Sequence, residues 1–464
     1  MFRDITIEEF LTRSANDDID YSDFADYVNR ETEKLNKKYG FLREVVKLEM
    51  KKNPEKITKK MFGLPVSIKD CICTKGIGSF AGSKILEGYK PVFDAHVVEN
   101  LKKENGAILG KTNQDCFGFG TFSVYSDYEI PKNPIDSERS CGGSSGGCGG
   151  ITKAATFPHI SIGESTGGSI SSPAAFCGVY GLTPTYGLVS RYGLIDYANS
   201  LDKIGVLGKN IFDIAFSLNI IAGHDSRDST SLKTEKKDYT KVLDKPIKGI
   251  KIGIPKEYMQ VDEKIQKTVW NAVKKLESLG ATYQEISLEN TKYALSAYYI
   301  IATAEASTNL AKYCGLRYGV QNEIAKAESF NDHYKKIRTK NFNAEAKRRI
   351  ILGTFTRMSG YRDQYYLKAM KVRTLVINDF KRVFKNVDII ASPAMPITAP
   401  KFSDIEKLTP MEHYQMDVLT VPPNLAGVPM ISVPCGFVDG LPVGLHLIAD
   451  HLQEEKIIQA ASWV

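Results

Sequence analysis

Apolar residues recur at helical spacing early in the chain, at Ile7, Phe10 and Leu11 and again at Phe24, Tyr27 and Val28, among charged neighbours. This pattern predicts amphipathic helices packed on a larger body. After KKNPEKITKKM (51–61) the texture changes. GLPVSIKD (63–70) is a short strand-like run, and DAHVVENLKKENGAILGKT (94–112) reads as a helix, a glycine stop at Gly106 and a strand. The alternation returns downstream. IKGIKIGIP (247–255) predicts a strand, and RTLVINDFKRVFKNVDIIASP (373–393) predicts a helix running into one. Between them, EKIQKTVWNAVKKLESLGA (263–281) predicts a helix with Ile265, Val269, Ala272, Leu276 and Leu279 on one face and Gly280 as its stop. Strands alternating with helices imply an α/β protein with a covered, parallel or mixed sheet. No linker or fixed-period repeat divides the chain, so the expected organisation is an N-terminal helical segment over 1–60 and one large domain over 61–464.

Composition alters this picture little. A chain of 464 residues can bury a large core, and its net charge of +7 permits contact with RNA without arguing for it. The opening MFRDITIEEF is too acidic for a secretory signal, and no apolar run is long enough to cross a bilayer. The eight cysteines are therefore expected as free thiols in a reducing compartment, the cytoplasm or alternatively an organellar matrix. Cys71 and Cys73 form a C-x-C pair, but no second pair or spaced histidine completes a zinc site, so no metal is expected.

The candidate chemistry lies in CGGSSGGCGG (141–150) and GESTGGSISSP (163–173). A phosphate loop would require a lysine after the glycines, and none follows at that offset. GGSSG satisfies the nucleophile-elbow pattern, but loop-like residues precede it and no suitable histidine follows. A flexible linker explains the first segment and not the second, where apolar residues resume at once. A serine nucleophile without histidine remains. Serine needs an adjacent base, and a lysine serves only if neutral, as burial makes it. Lys69 ends an apolar strand and would stand at a sheet edge beside a loop. Glycines before Ser169 would let backbone N–H groups approach a tetrahedral oxyanion.

Lys69, the GGSSGG block and TGGS, in that order, resemble the amidase signature family. That resemblance implies the amidase-signature fold, a large central mixed β-sheet with helices on both faces. It also implies a Ser–cisSer–Lys triad with Ser169 as nucleophile, Ser144 as bridging serine after a cis peptide bond, and Lys69 as general base. Backbone amides near Thr166, Gly167 and Gly168 would form the oxyanion hole. The likeness covers roughly residues 60–450. KDCICTKGIGSFAGSKILEGY, GLTPTYGLVSRYGLIDYANSLDKIGV and AKRRIILGTFTRMSGYRDQYYLKAMKVRTLV (346–376) are similar to one branch of the family, the glutaminase subunits of tRNA-dependent glutamine amidotransferases. For that branch the resemblance implies glutamine as ammonia donor, with Arg349 holding its carboxylate and Asp417 its ammonium. It implies a partner subunit (GatB) that receives the ammonia on tRNA-bound glutamate or aspartate, a small third subunit (GatC-like), and tRNA contact mainly through the partner. ATP and magnesium would belong to the partner, since this chain has no nucleotide motif, and no membrane is implied. The rival readings are a stand-alone amidase and a catalytically silent scaffold in the same complex.

The chain departs from the family pattern near the nucleophile. The usual DTGGSIR is here STGGSIS, with Ser165 and Ser171 replacing an acid and a base. If those two pair, losing both leaves no orphan charge. The interval from Ser144 to Ser169 is one residue longer than usual. Cys71 replaces an asparagine, and NQDCFGFG (113–120) replaces NMDEFAMG.

Overall fold

A computed structural model describes residues 2–50, 59–321 and 329–464; the first eight residues of KKNPEKITKKM lie outside them. Among the described residues, eleven strands form one sheet. They are β1 (Leu42–Val45), β2 (Pro65–Lys69), β3 (Ala107–Thr112), β4 (Ile160–Ser165), β5 (Tyr180–Thr183), β6 (Lys203–Gly208), β7 (Lys251–Pro255), β8 (Thr282–Ile286), β9 (Ile389–Pro393), β10 (Met430–Val438) and β11 (Leu441–Ala449). Across the sheet the order is β1-β3-β2-β4-β6-β5-β10-β11-β9-β7-β8. Strand β2 runs parallel to β3 and β4, and β7 runs parallel to β8 and β9. The remaining pairings are antiparallel, so the sheet is mixed. Every residue of β2, β4, β6, β9 and β11 is buried, which requires cover on both faces.

Helices α1 (Ile7–Ala15) and α2 (Tyr21–Tyr39) occupy the N-terminal region, with Ile7, Phe10, Phe24 and Val28 buried as the periodicity predicts. The side chains of Thr6 and Asp20 cap them, and Gly40 (φ 68°) ends α2 in the left-handed conformation. The same region also supplies an edge strand that helical periodicity does not predict. Strand β1 pairs antiparallel with β3, Leu42 opposite Thr112. With one buried residue among four, it shows no alternation to read.

Helices α3 (His96–Lys103), α4 (Gly146–Ala154), α5 (Ser171–Cys177), α6 (Ile211–Ile221) and α7 (Glu263–Ser278) follow. Two expected details differ. The turn after α3 is made by Asn105 (φ 63°), and Gly106 follows it. Leu279 lies past the end of α7 and is 39% exposed, while Val273 takes the core position instead. Beyond α7 come α8 (Ala294–Asn309), α9 (Phe330–Asn341), α10 (Ala344–Arg357) and α11 (Lys368–Val383), of which α8 packs on α10 and α11. Among the described residues no helix is long and apolar enough to cross a membrane.

Candidate active site

The glycine–serine segments are buried from Cys141 to Gly150 and from Gly163 to Cys177, which excludes a solvated linker. Glycine is required where packing leaves no room for a side chain. A Cβ on Gly143 would lie 2.4 Å from Asp115 Oδ2 and 2.6 Å from the Ser123 nitrogen. A Cβ on Gly168 would lie 2.7 Å from Thr420 Oγ1. The Gly143–Ser144 peptide is cis, as the resemblance implies. The Ser145 N–H donates to the Ser169 carbonyl at 3.2 Å, which lays the two serine segments side by side. Ser169 is 6% exposed, whereas Ser144 and Lys69 are fully buried, so of the three Ser169 alone retains access.

Lys69 closes β2, a strand that lies between β3 and β4. Its Nζ has three acceptors: Ser144 Oγ at 2.7 Å, the Glu164 carbonyl at 2.9 Å and Glu164 Oε2 at 2.9 Å. Burial alone would depress the ammonium, as the sequence reading requires of a base. The Glu164 carboxylate outweighs burial and moves the group upward instead. The resting lysine is therefore an ammonium, contrary to expectation.

Around the nucleophile turn, the Gly167 carbonyl accepts from Ser165 Oγ at 3.0 Å and from the Asn424 amide. A trans peptide points its N–H opposite to its C=O, so the Gly168 N–H faces away from both donors. Thr166 Oγ1 lies 2.8 Å from Glu164 Oε1 and 2.8 Å from Asp202 Oδ1. The two altered positions have neutral partners: Ser165 bonds within the turn, and Ser171 Oγ lies 3.3 Å from His446 Nε2.

Arg349, on α10, and Asp417 are both buried. The Arg349 Cζ lies 4.9, 5.5, 5.3 and 5.2 Å from the ring centres of Phe119, Tyr197, Tyr299 and Tyr414. Its Nε donates to Glu345 Oε1 at 2.7 Å, and Nη1 donates to the Tyr197 hydroxyl. Asp417 accepts from Thr121 Oγ1 at 3.1 Å and from the Tyr299 hydroxyl at 2.8 Å. Its Oδ1 lies 3.3 Å from the place a Cβ on Gly168 would occupy, beside the nucleophile turn. The departure at Cys116 touches this region as well. Cys116 Sγ lies 3.2 Å from Oδ1 of Asn343, whose side chain caps α10. Sequence reasoning missed Glu164, Asp202 and the tyrosines around Arg349. The available signal for Glu164 was an acid inside the otherwise apolar and small run HISIGES (159–165).

A fold with a buried lysine–serine pair beside a second glycine-flanked serine defines an amidase of the signature type, and the family model "Amidase" matches residues 24–458. The chain belongs to the amidase signature family. Among its relatives, the A subunit of glutamyl-tRNA(Gln) amidotransferase from Methanococcoides burtonii is 50% identical over 401 residues, 86% of this chain and 83% of that protein. The protein of that name from Geobacillus thermodenitrificans is 45% identical over 470 residues, 99% of this chain and 96% of its own length. The crystal structure of the corresponding Thermotoga maritima protein superimposes with a TM-score of 0.84 at 35% identity, covering 99% of this chain and 94% of that one.

Proposed function

We propose that this chain is the glutaminase subunit of a tRNA-dependent amidotransferase. Its task is to release ammonia from glutamine for conversion of Glu-tRNA(Gln) to Gln-tRNA(Gln), or of Asp-tRNA(Asn) to Asn-tRNA(Asn), on a partner subunit (GatB) braced by a small third subunit. ATP and magnesium serve the partner's chemistry, and tRNA is held mainly by the partner. The names of the relatives support this reading. The observation that carries it is Tyr299, whose hydroxyl donates to Asp417 and whose ring lies 5.3 Å from the Arg349 guanidinium carbon, with Asp417 beside the turn that presents Ser169. A free amino acid presents a carboxylate and an ammonium a few bonds apart. A planar guanidinium and a buried carboxylate at one site suit that pair, whereas a simple amide offers neither charge.

In the reaction, Ser169 Oγ attacks the side-chain amide carbon while its proton passes to Ser144 and on towards Lys69. The carbonyl oxygen becomes an oxyanion held by backbone N–H groups of Thr166, Gly167 and Gly168. Collapse expels ammonia, and water then frees glutamate by the same route. The neutral partners of Ser165 and Ser171 leave no stranded charge at the turn, which favours a working site over a silent scaffold.

The test is ammonia release from glutamine by the purified chain, alone and with the partner subunits, beside Ser169→Ala. Release that rises with partners and vanishes in the variant is expected. Release from other amides without partners would establish a stand-alone amidase. No release in an intact complex would make the chain a scaffold.

A further inference from the structure

The family pattern places its acid at position 165, where this chain has Ser165. Its own acid, Glu164, stands one position earlier. Lys69 is the last residue of β2 and Glu164 the last but one of β4, and the two strands pair, so both side chains lie at the same end of adjacent strands. There the Glu164 carboxylate meets Lys69, with Oε2 at 2.9 Å from Nζ, both groups buried.

The three acceptors around Nζ match the three hydrogens of an ammonium. In this arrangement Lys69 donates to Ser144, the reverse of what a base must do. To accept the Ser144 proton it must first give one up. The backbone carbonyl cannot take a proton, and Glu164 Oε2 can.

The second oxygen of Glu164 is also engaged. One hydroxyl hydrogen on Thr166 cannot serve both Glu164 Oε1 and Asp202 Oδ1, although Thr166 Oγ1 lies 2.8 Å from each. The other contact requires a hydrogen on a carboxyl. Asp202 also accepts from the backbone N–H groups of Tyr197 and Ala198, while burial, then the charge of Glu164, moves its carboxyl well above the ordinary range.

We propose that Glu164 is the terminal proton acceptor of this site, acting through Lys69, so that the working array is Ser169–Ser144–Lys69–Glu164. As the Ser169 Oγ–carbon bond forms and the carbonyl π pair moves onto oxygen, the Ser169 proton goes to Ser144 Oγ. The Ser144 proton goes to Lys69 Nζ, and one ammonium proton goes to Glu164 Oε2. The charges on Lys69 and Ser144 are unchanged, and Glu164 becomes neutral. When the carbon–nitrogen bond breaks, the proton returns along the same path to the leaving nitrogen, which departs as ammonia. The amide substrate rests on the proposed function; the proton path does not.

The experiment therefore carries two readouts on the full chain in its complex: ammonia release from glutamine, and the rate at which phenylmethanesulfonyl fluoride modifies Ser169. Each is followed against pH for wild type, Glu164→Gln and Glu164→Asp. We expect Glu164→Gln to lower both kcat and the modification rate on the order of 100-fold near neutral pH, with KM unchanged. Its remaining rate should follow a different pH dependence, because the lysine then titrates without its acceptor. Glu164→Asp should recover at least about tenfold of the loss. Wild-type rates and an unmoved pH profile in Glu164→Gln would overturn the proposal and leave Lys69 as sole base. If Glu164→Gln lacks a cooperative thermal transition, Glu164→Asp decides: a displaced acid limb supports the relay, and a wild-type profile overturns it. Rapid modification of wild-type Ser169 without ammonia release would sink the glutaminase reading while leaving the relay standing.

Discussion

The Tyr299 hydroxyl donates to Asp417 Oδ2 at 2.8 Å while the same ring lies 5.3 Å from the Arg349 guanidinium carbon, so one tyrosine spaces an anion from a cation. Burial raises Asp417 to about 6, against the opposing pull of Tyr299, Thr121 and Arg349. Its charge is therefore present above that pH and lost below it, while an amino acid's ammonium stays charged throughout. The expected result is a KM for glutamine that is level at neutral pH and climbs roughly tenfold per unit once the carboxylate is protonated. Asp417→Asn should raise KM by about 10- to 100-fold at neutral pH, the loss of one charge-assisted contact of about 1.5–3 kcal/mol, and should abolish the acid rise. Initial rates against glutamine concentration across this range check both. A wild-type KM indifferent to pH would remove Asp417 from ammonium binding.

Arg349 is held as a planar group, with Nε on Glu345, Nη1 on the Tyr197 hydroxyl and four rings around it. Lysine keeps the charge and loses the bidentate geometry. Arg349→Lys is expected to raise KM by about 10- to 100-fold with little change in kcat. Arg349→Met also strands the buried Glu345 carboxylate, which costs about 3–5 kcal/mol when a partner is removed. Arg348 still pairs with the other Glu345 oxygen, which places the loss at the lower end. Denaturant unfolding of the two variants separates the effects: the lysine variant should keep its midpoint and the methionine variant should not.

Local features of this site were legible in the sequence, and partnerships across the sheet were not. Lys69 ended a readable strand, and the glycines around Ser144 and before Ser169 implied close backbone approach, now visible at Gly143 and Gly168. Burial of Lys69 was foreseeable too, but its protonation depends on Glu164, which is 95 residues away and adjacent only because β2 pairs with β4. A lone acid in a short apolar run does not announce that neighbour. Strand β1 escaped for a related reason, since its pairing with β3 is long-range and its own pattern is too short to show a period. Leu279 matched the helical period, yet the chain has already left helical geometry at Leu279 (φ −91°, ψ 5°), before Gly280 turns left-handed (φ 99°), and periodicity cannot say which turn is last.

The paired departure at Ser165 and Ser171 can be tested by restoring what the family pattern carries. Ser171 is fully buried beside His446, which burial and Lys203 hold at about 3 and hence neutral at physiological pH. Ser171→Arg alone would add a buried cation to that group and should destabilise the chain by about 3–5 kcal/mol. Ser165 is the register partner of Lys203 across β4 and β6, so an acid there gains a cation on its own face of the sheet. Lys203 is depressed to about 7 by burial, a sign that it lacks a sufficient counter-charge. Ser165→Asp should therefore be milder than Ser171→Arg. The double variant should be more stable than the two single losses add up to, by a coupling of about 1–3 kcal/mol. Denaturant unfolding of wild type, both single variants and the double variant closes the cycle. Coupling of that size would mean that Ser165 and Ser171 replace a charged pair as a unit, whereas strictly additive losses would mean that the two positions changed independently.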